Sequence, residues 1–164
     1  MARVDRDARV GERAAMRSPS KTAALACAAL LAAACGTSGK RPLRGATSPA
    51  GPYSPGVDCG ELVFLAGQIG KDPATGALVP GGVVPETRQV MENLGAVLHD
   101  AGLGFGDVVK ASVFLADVDD FGAMNEVYGA YFPAGGIPPA RTTVQVAAIP
   151  RGARVEIDFI ALRR

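Results

Sequence analysis

The chain has 164 residues, 48% of them apolar, with 17 Lys/Arg against 16 Asp/Glu and no Trp. That is enough for one domain of ordinary size plus an appendage. Residues 1–35 hold six basic and three acidic side chains, while residues 36–164 hold eleven and thirteen, so the larger part lacks the basic stripe and aromatic platforms that bind nucleic acid.

The first element is an uncharged run from Thr22 to Cys35, rich in Ala and Leu. It is shorter than the roughly 20 residues of a membrane span, and with Arg17 and Lys21 before it reads as the core of a secretory signal. Its end, Leu31-Ala32-Ala33-Ala34-Cys35-Gly36, resembles a bacterial lipobox whose cysteine is lipidated, although Ala32 stands where such signals most often carry leucine. Residues 1–35 are expected to be a signal or lipoprotein leader, with Met16 an alternative start. The expected location is the cell envelope, with membrane attachment through Cys35; the alternative is the cytoplasm if the leader is not functional. Residues 36–51 are rich in Gly, Ser, Pro and basic side chains and read as a flexible linker. Cys59 is then the only cysteine of the domain over residues 52–164. With His99 the single histidine and no C-x-x-C pair, no zinc set is expected.

Within that domain, Glu61–Gly67 reads as a strand and Asp72-Pro73-Ala74-Thr75-Gly76 as a turn. Pro85 opens a helix whose apolar face is Val90, Leu94, Val97, Leu98 and Ala101, ending at Gly102 and Gly104. Val108–Ala116 is the next strand. Asp119 or Asp120 is expected to cap a second helix with Phe121, Met124, Tyr128 and Tyr131 as its buried stripe, stopped by Pro133. Arg141–Ala148 and Arg154–Leu162 follow as strands folded onto each other around Pro150-Arg151-Gly152. In the simplest register, Val144 and Val146 face the helices with Val155, Ile157 and Phe159. Arg141, Thr143, Gln145, Glu156 and Asp158 then share the opposite face. The fold class is α+β, one sheet with two helices, and its second face is either solvated or covered by another subunit.

Arg141 and Glu156 carry the chemistry. A guanidinium presents a planar fork that fits a carboxylate, and a nearby glutamate holds and activates water. Together they imply a site that grips a small carboxylic acid and hydrolyses something attached to it.

The domain resembles the RidA (YjgF/YER057c/UK114) family. The resemblance rests on Gly51-Pro52-Tyr53-Ser54, Ala66-Gly67-Gln68-Ile69, Asp72-Pro73-Ala74-Thr75-Gly76 and Thr87-Arg88-Gln89-Val90-Met91-Glu92-Asn93-Leu94. It continues with Val113-Phe114-Leu115-Ala116-Asp117, Met124-Asn125-Glu126-Val127-Tyr128, Pro139-Ala140-Arg141-Thr142 and Val155-Glu156-Ile157. Eight motifs in order over one domain are a specific signal. The resemblance implies a chorismate-mutase-like fold, a homotrimer with sites in the clefts between subunits, and no cofactor. It implies hydrolysis of small 2-imino and 2-enamino acids to 2-oxo acids and ammonia.

By position, Arg141 would anchor the substrate carboxylate and Glu156 orient the water. Tyr53, Ala66, Gly67, Asn125 and Thr143 would line the substrate pocket. Ala66 departs from the family's frequent Ser, and Thr143 from its occasional Cys. The competing reading is a non-catalytic module binding a 2-oxo or other small carboxylic acid. A ribonuclease or translation-inhibitor role, attached to some relatives, fits this slightly acidic domain poorly.

Overall fold

The computed structural model describes residues 39–164; the expected leader, with Met16 and Cys35, lies outside the described residues. Six strands form one sheet: β1 (Arg41–Leu43), β2 (Gly56–Asp58), β3 (Leu62–Ile69), β4 (Val108–Leu115), β5 (Ala140–Gln145) and β6 (Val155–Leu162), in the spatial order β1-β2-β3-β6-β4-β5. Among the described residues two α-helices, α1 (Val83–Asp100) and α2 (Phe121–Gly129), complete the α+β fold. The sheet reaches into the stretch expected as a flexible linker, because Arg41–Leu43 pairs antiparallel with β2 and Leu43 is 2% exposed in the core.

Alternation along the strands decides which face meets the helices. Val63 and Leu65 of β3, Ala111, Val113 and Leu115 of β4, and Val155, Ile157, Phe159 and Ala161 of β6 are buried. They pack against Val90, Met91, Leu94, Val97 and Leu98 of α1 and Met124 and Tyr128 of α2. The expected apolar face of α1 is therefore the one observed. The helix begins at Val83, two residues before Pro85, and ends where Gly102 takes φ +71° and Leu103 N donates to Leu98 O at 2.9 Å. At its start α1 lies so close to β3 that a Cβ on Gly70 would stand 2.8 Å from Glu86 Cα.

The expected cap of α2 is not observed. Asp117 instead accepts from Asp119 N at 3.1 Å in a preceding 3-10 turn, and Asp120 turns its carboxylate to Arg154 at 2.6 Å. The guanidinium competes successfully for a carboxylate that a helix terminus would otherwise take. Met124 and Tyr128 are buried as expected, whereas Phe121 is 42% exposed.

The largest correction concerns the last two strands. β5 and β6 do not pair; β4 lies between them, parallel to β5 and antiparallel to β6. The segment β4–α2–β5 is a helical crossover, which forces parallel pairing. The chain after β5 then has to return past β4 to insert beside β3.

Candidate active site

Register across the three strands separates the two residues expected to work together. Arg141 lies opposite Ala111, which lies opposite Phe159; Thr143 lies opposite Val113, and Val113 opposite Ile157. These rows face the helices. Glu156 lies opposite Phe114, and Phe114 opposite Val144, on the other face. Within one chain Arg141 and Glu156 are thus on opposite sides of the sheet. The expectation that Arg141, Thr143, Gln145, Glu156 and Asp158 share a face is overturned, as is the inward placing of Val144, which is 42% exposed.

On the helix side, Arg141 sits at the mouth of the β5–α2 junction. Its Nη2 donates to Asn125 Oδ1 at 2.8 Å, and its Cζ lies 4.6 Å from the Tyr128 ring centroid and 5.6 Å from that of Phe121. Phe121, Asn125 and Tyr128 occupy positions i, i+4 and i+7 of one helix, so a single face of α2 builds the support. Cation–π contact contributes about 0.5–2 kcal/mol and holds the guanidinium plane in place. Among the described residues Arg141 is in no ion pair, and most of its donors remain available. The Tyr128 and Thr143 hydroxyls beside it are buried without a protein partner. Burial raises the pKa of Tyr128, and the adjacent Arg141 charge opposes that shift.

On the other face, Glu156 lines a cleft of ≈ 240 Å³ with Tyr53, Gly67, Gln68, Lys71 and Arg151 among its walls. A bulge shapes it: three steps along β3 from Leu65 to Gln68 match two along β6 from Phe159 to Ile157. The irregularity falls at Ala66-Gly67 and sets Gly67 directly against Glu156, as bulges beside sites often do. Ala66 N is occupied by Pro55 O at 2.9 Å, and Ala66 O accepts from Gln68 Nε2 at 3.3 Å. Tyr53 is half exposed, its hydroxyl accepting from Ala50 N at 3.2 Å. Burial, and secondly the Asp158 carboxylate, raise the pKa of Glu156 above its ordinary 4.5.

Gly67 leaves room for the Glu156 carboxylate. A Cβ there would fall onto Glu156 Oε1 and stand 3.0 Å from its Cδ. Because the obstructing atoms end a flexible side chain, Gly67→Ala is expected to displace the carboxylate and leave the fold intact. A misplacement of this kind costs about 10²-fold in rate, with stability changed by less than about 1 kcal/mol. Parallel measurements of kcat/KM and of the urea midpoint check both halves.

Of the expected site residues, the structure groups Arg141 with Asn125 and Thr143 on the helix face and Glu156 with Gly67 and Tyr53 in the cleft of the other face, while Ala66 does not line that cleft. Sequence reasoning missed the aromatic support of Arg141, although the i, i+4, i+7 spacing carried it, and missed Lys71 and Arg151, which no periodicity marks. His99 and Cys59 are exposed. Among the described residues no group of three His, Cys, Asp or Glu side chains converges as a metal ligand set.

Comparison with known proteins supplies a family context. The profile of the Endoribonuclease L-PSP family matches residues 44–163. A mouse 2-iminobutanoate/2-iminopropanoate deaminase is 52% identical over 113 residues, 69% of this chain and 82% of its own. Protein DfrA of Myxococcus xanthus is 56% identical over 114 residues, 68% of this chain and 86% of its own. Among solved structures, the YjgF gene product of E. coli superposes with a TM-score of 0.71 at 38% identity, covering 76% of this chain and 99% of that one.

Proposed function

The chain belongs to the Endoribonuclease L-PSP family, the RidA/YjgF proteins, and from that premise we propose that it hydrolyses 2-imino and 2-enamino acids to 2-oxo acids and ammonia. The observation that carries this reading is Arg141, a guanidinium held by Asn125 and two aromatic rings and opposed by no carboxylate among the described residues. It is built to receive the carboxylate of a small acid. Glu156 orients a water toward the imine carbon, takes its proton and passes one to nitrogen as the C–N bond breaks.

Because the two groups lie on opposite faces, the proposed site pairs Arg141 of one protomer with Glu156 of the next. The open face supports assembly: Leu62, Phe64, Val109, Val144 and Leu162 alternate outward from β3, β4, β5 and β6, each 37–42% exposed. Exposed apolar side chains gathered on a sheet face suit an interface, and the reading is a homotrimer closed by these sheet faces.

The test generates 2-iminobutanoate in situ with a threonine dehydratase and follows 2-oxobutanoate release. The expected result is acceleration by the wild type that Arg141→Ala abolishes. No acceleration, with 2-oxobutanoate still bound, would assign the protein to the non-catalytic binding class instead. The desolvated Glu156 favours catalysis, since a binder of anions gains nothing from a buried carboxylate.

A pH dependence follows from Glu156. The group accepts a proton only when ionised, so kcat/KM is expected to fall on acidification with a midpoint above 4.5. The stability effect runs the other way. The native carboxyl keeps its proton where the unfolded one has lost it, so this group lowers stability as pH rises through the range between the two pKa values. Glu156→Gln should therefore be inactive yet no less stable at neutral pH, read from thermal midpoints across pH.

Export is part of the same proposal. The apolar run ending at Cys35 supports a lipid-anchored enzyme at the cell envelope, meeting imines there. Incorporation of a palmitate analogue that Cys35→Ser abolishes is the expected result, and its absence favours the cytoplasmic alternative.

A further inference from the structure

The cleft that holds Glu156 also holds two cations. Lys71 and Arg151 both line it, and they converge on one turn. Arg151 Nη1 donates to Gly76 O at 3.0 Å, and Lys71 Cε lies 3.8 Å from where a Gly76 Cβ would stand. Lys71 Nζ donates to Ser48 O, another cleft residue, at 3.2 Å. Each cation spends one donor on a backbone carbonyl and keeps the rest. Neither is in an ion pair among the described residues. Asp72, the nearest carboxylate in sequence, is turned into its own loop, accepting from Ala74 N at 2.7 Å and Thr75 N at 3.1 Å.

Arg151 is also the one non-glycine among the described residues with positive φ, at +64°. A bulky side chain there is held against its conformational preference, a feature concentrated at functional sites. Glu156 and the two cations line one and the same cleft.

We propose that Lys71 and Arg151 form a second anion subsite, which takes a side-chain carboxylate and makes dicarboxylic 2-imino acids the preferred substrates. The proposal rests on the hydrolase reading above, in which Arg141 of a neighbouring protomer holds the first carboxylate and Glu156 faces the imine carbon. The remaining end of the bound molecule then meets the two cations. A guanidinium and an ammonium together suit a carboxylate, the first by its planar fork and the second as a point charge. The reaction is unchanged: water adds to the C=N carbon, its oxygen becomes the keto oxygen, and nitrogen leaves as ammonia after the C–N bond breaks. No oxidant or reductant takes part.

The test uses two four-carbon imines that differ in a terminal carboxylate against a methyl group. Iminosuccinate is made in situ from aspartate by an aspartate oxidase, and 2-iminobutanoate from 2-aminobutyrate by an amino-acid oxidase, both with catalase. Wild-type kcat/KM is expected to be about tenfold or more higher for iminosuccinate, the size of one charge-assisted hydrogen bond. Lys71→Met, which keeps the stem, and Arg151→Gly, which suits the positive φ, should each erase most of that ratio through KM, while Lys71→Arg retains it. Equal wild-type rates for the two imines, or an unchanged ratio in Lys71→Met, overturn the subsite and leave the hydrolase standing. Failure to accelerate either imine overturns the hydrolase reading, and the subsite with it.

Discussion

Mixing Arg141→Ala subunits with Glu156→Gln subunits is expected to restore about a quarter of wild-type activity, although each variant alone is nearly inactive. Removing Arg141 leaves the substrate carboxylate without its charged partner, a loss of about 2–5 kcal/mol. Glu156→Gln removes the proton acceptor, a loss of about 10²–10⁴-fold. The restoration follows from sheet geometry. Arg141 shares a row with Ala111 and Phe159 on the helix face, and Glu156 shares one with Phe114 and Val144 on the open face. No side-chain movement carries one through the sheet to the other, so the proposed working pair takes its two residues from two protomers. In an equal, random mixture a site receives an intact arginine half the time and an intact glutamate half the time, hence about a quarter. Co-refolding the two variants and following 2-oxobutanoate release is the measurement. Activity that stays at the level of the separate variants would mean that the site is not shared between protomers.

Phe159→Ala should cost about 3–5 kcal/mol of stability. Phe159 is 1% exposed on β6, the strand between β3 and β4. Its ring meets Phe105 at 6.3 Å and Phe132 at 6.4 Å, both near edge-on, a geometry that adds to the area buried. The surrounding Leu94, Leu98 and Met124 are fully buried as well, so little can collapse into the space left behind. A domain of this size has only about 5–15 kcal/mol of stability in total. A fall in the urea midpoint at unchanged slope is the expected reading. A loss under 1 kcal/mol would mean that the core around β6 is loosely packed.

The two predictions also mark how far sequence patterns reach. The row of α1 residues from Val90 to Ala101 could be read directly, because one apolar stripe at helical spacing has only one way to face a core. The same holds for β6, whose Val155, Ile157, Phe159 and Ala161 alternate without ambiguity. β5 was misread because its alternation is weak and both sheet faces carry apolar side chains. Hydrophobicity alone places Val144 inward, yet Phe64 and Val144 lie on the open face, and α2 covers Arg141 with aromatic rings. The linker was misread for a related reason: a three-residue edge strand with one buried side chain, Leu43, leaves no periodic trace.

Sequence alone determined the element types from β3 onward, the α1 and β6 core faces and the family, and it singled out Arg141 and Glu156 as chemically capable residues. Local spacing and side-chain chemistry carry that much. Tertiary structure alone decided that β4 separates β5 from β6, that Arg141 and Glu156 stand on opposite faces, and that Lys71 and Arg151 meet at Gly76. Pairing between strands depends on where the crossover helix packs, and a period of two is blind to which strand lies alongside. A one-residue change of register exchanges the faces while leaving every alternation in the sequence as it was.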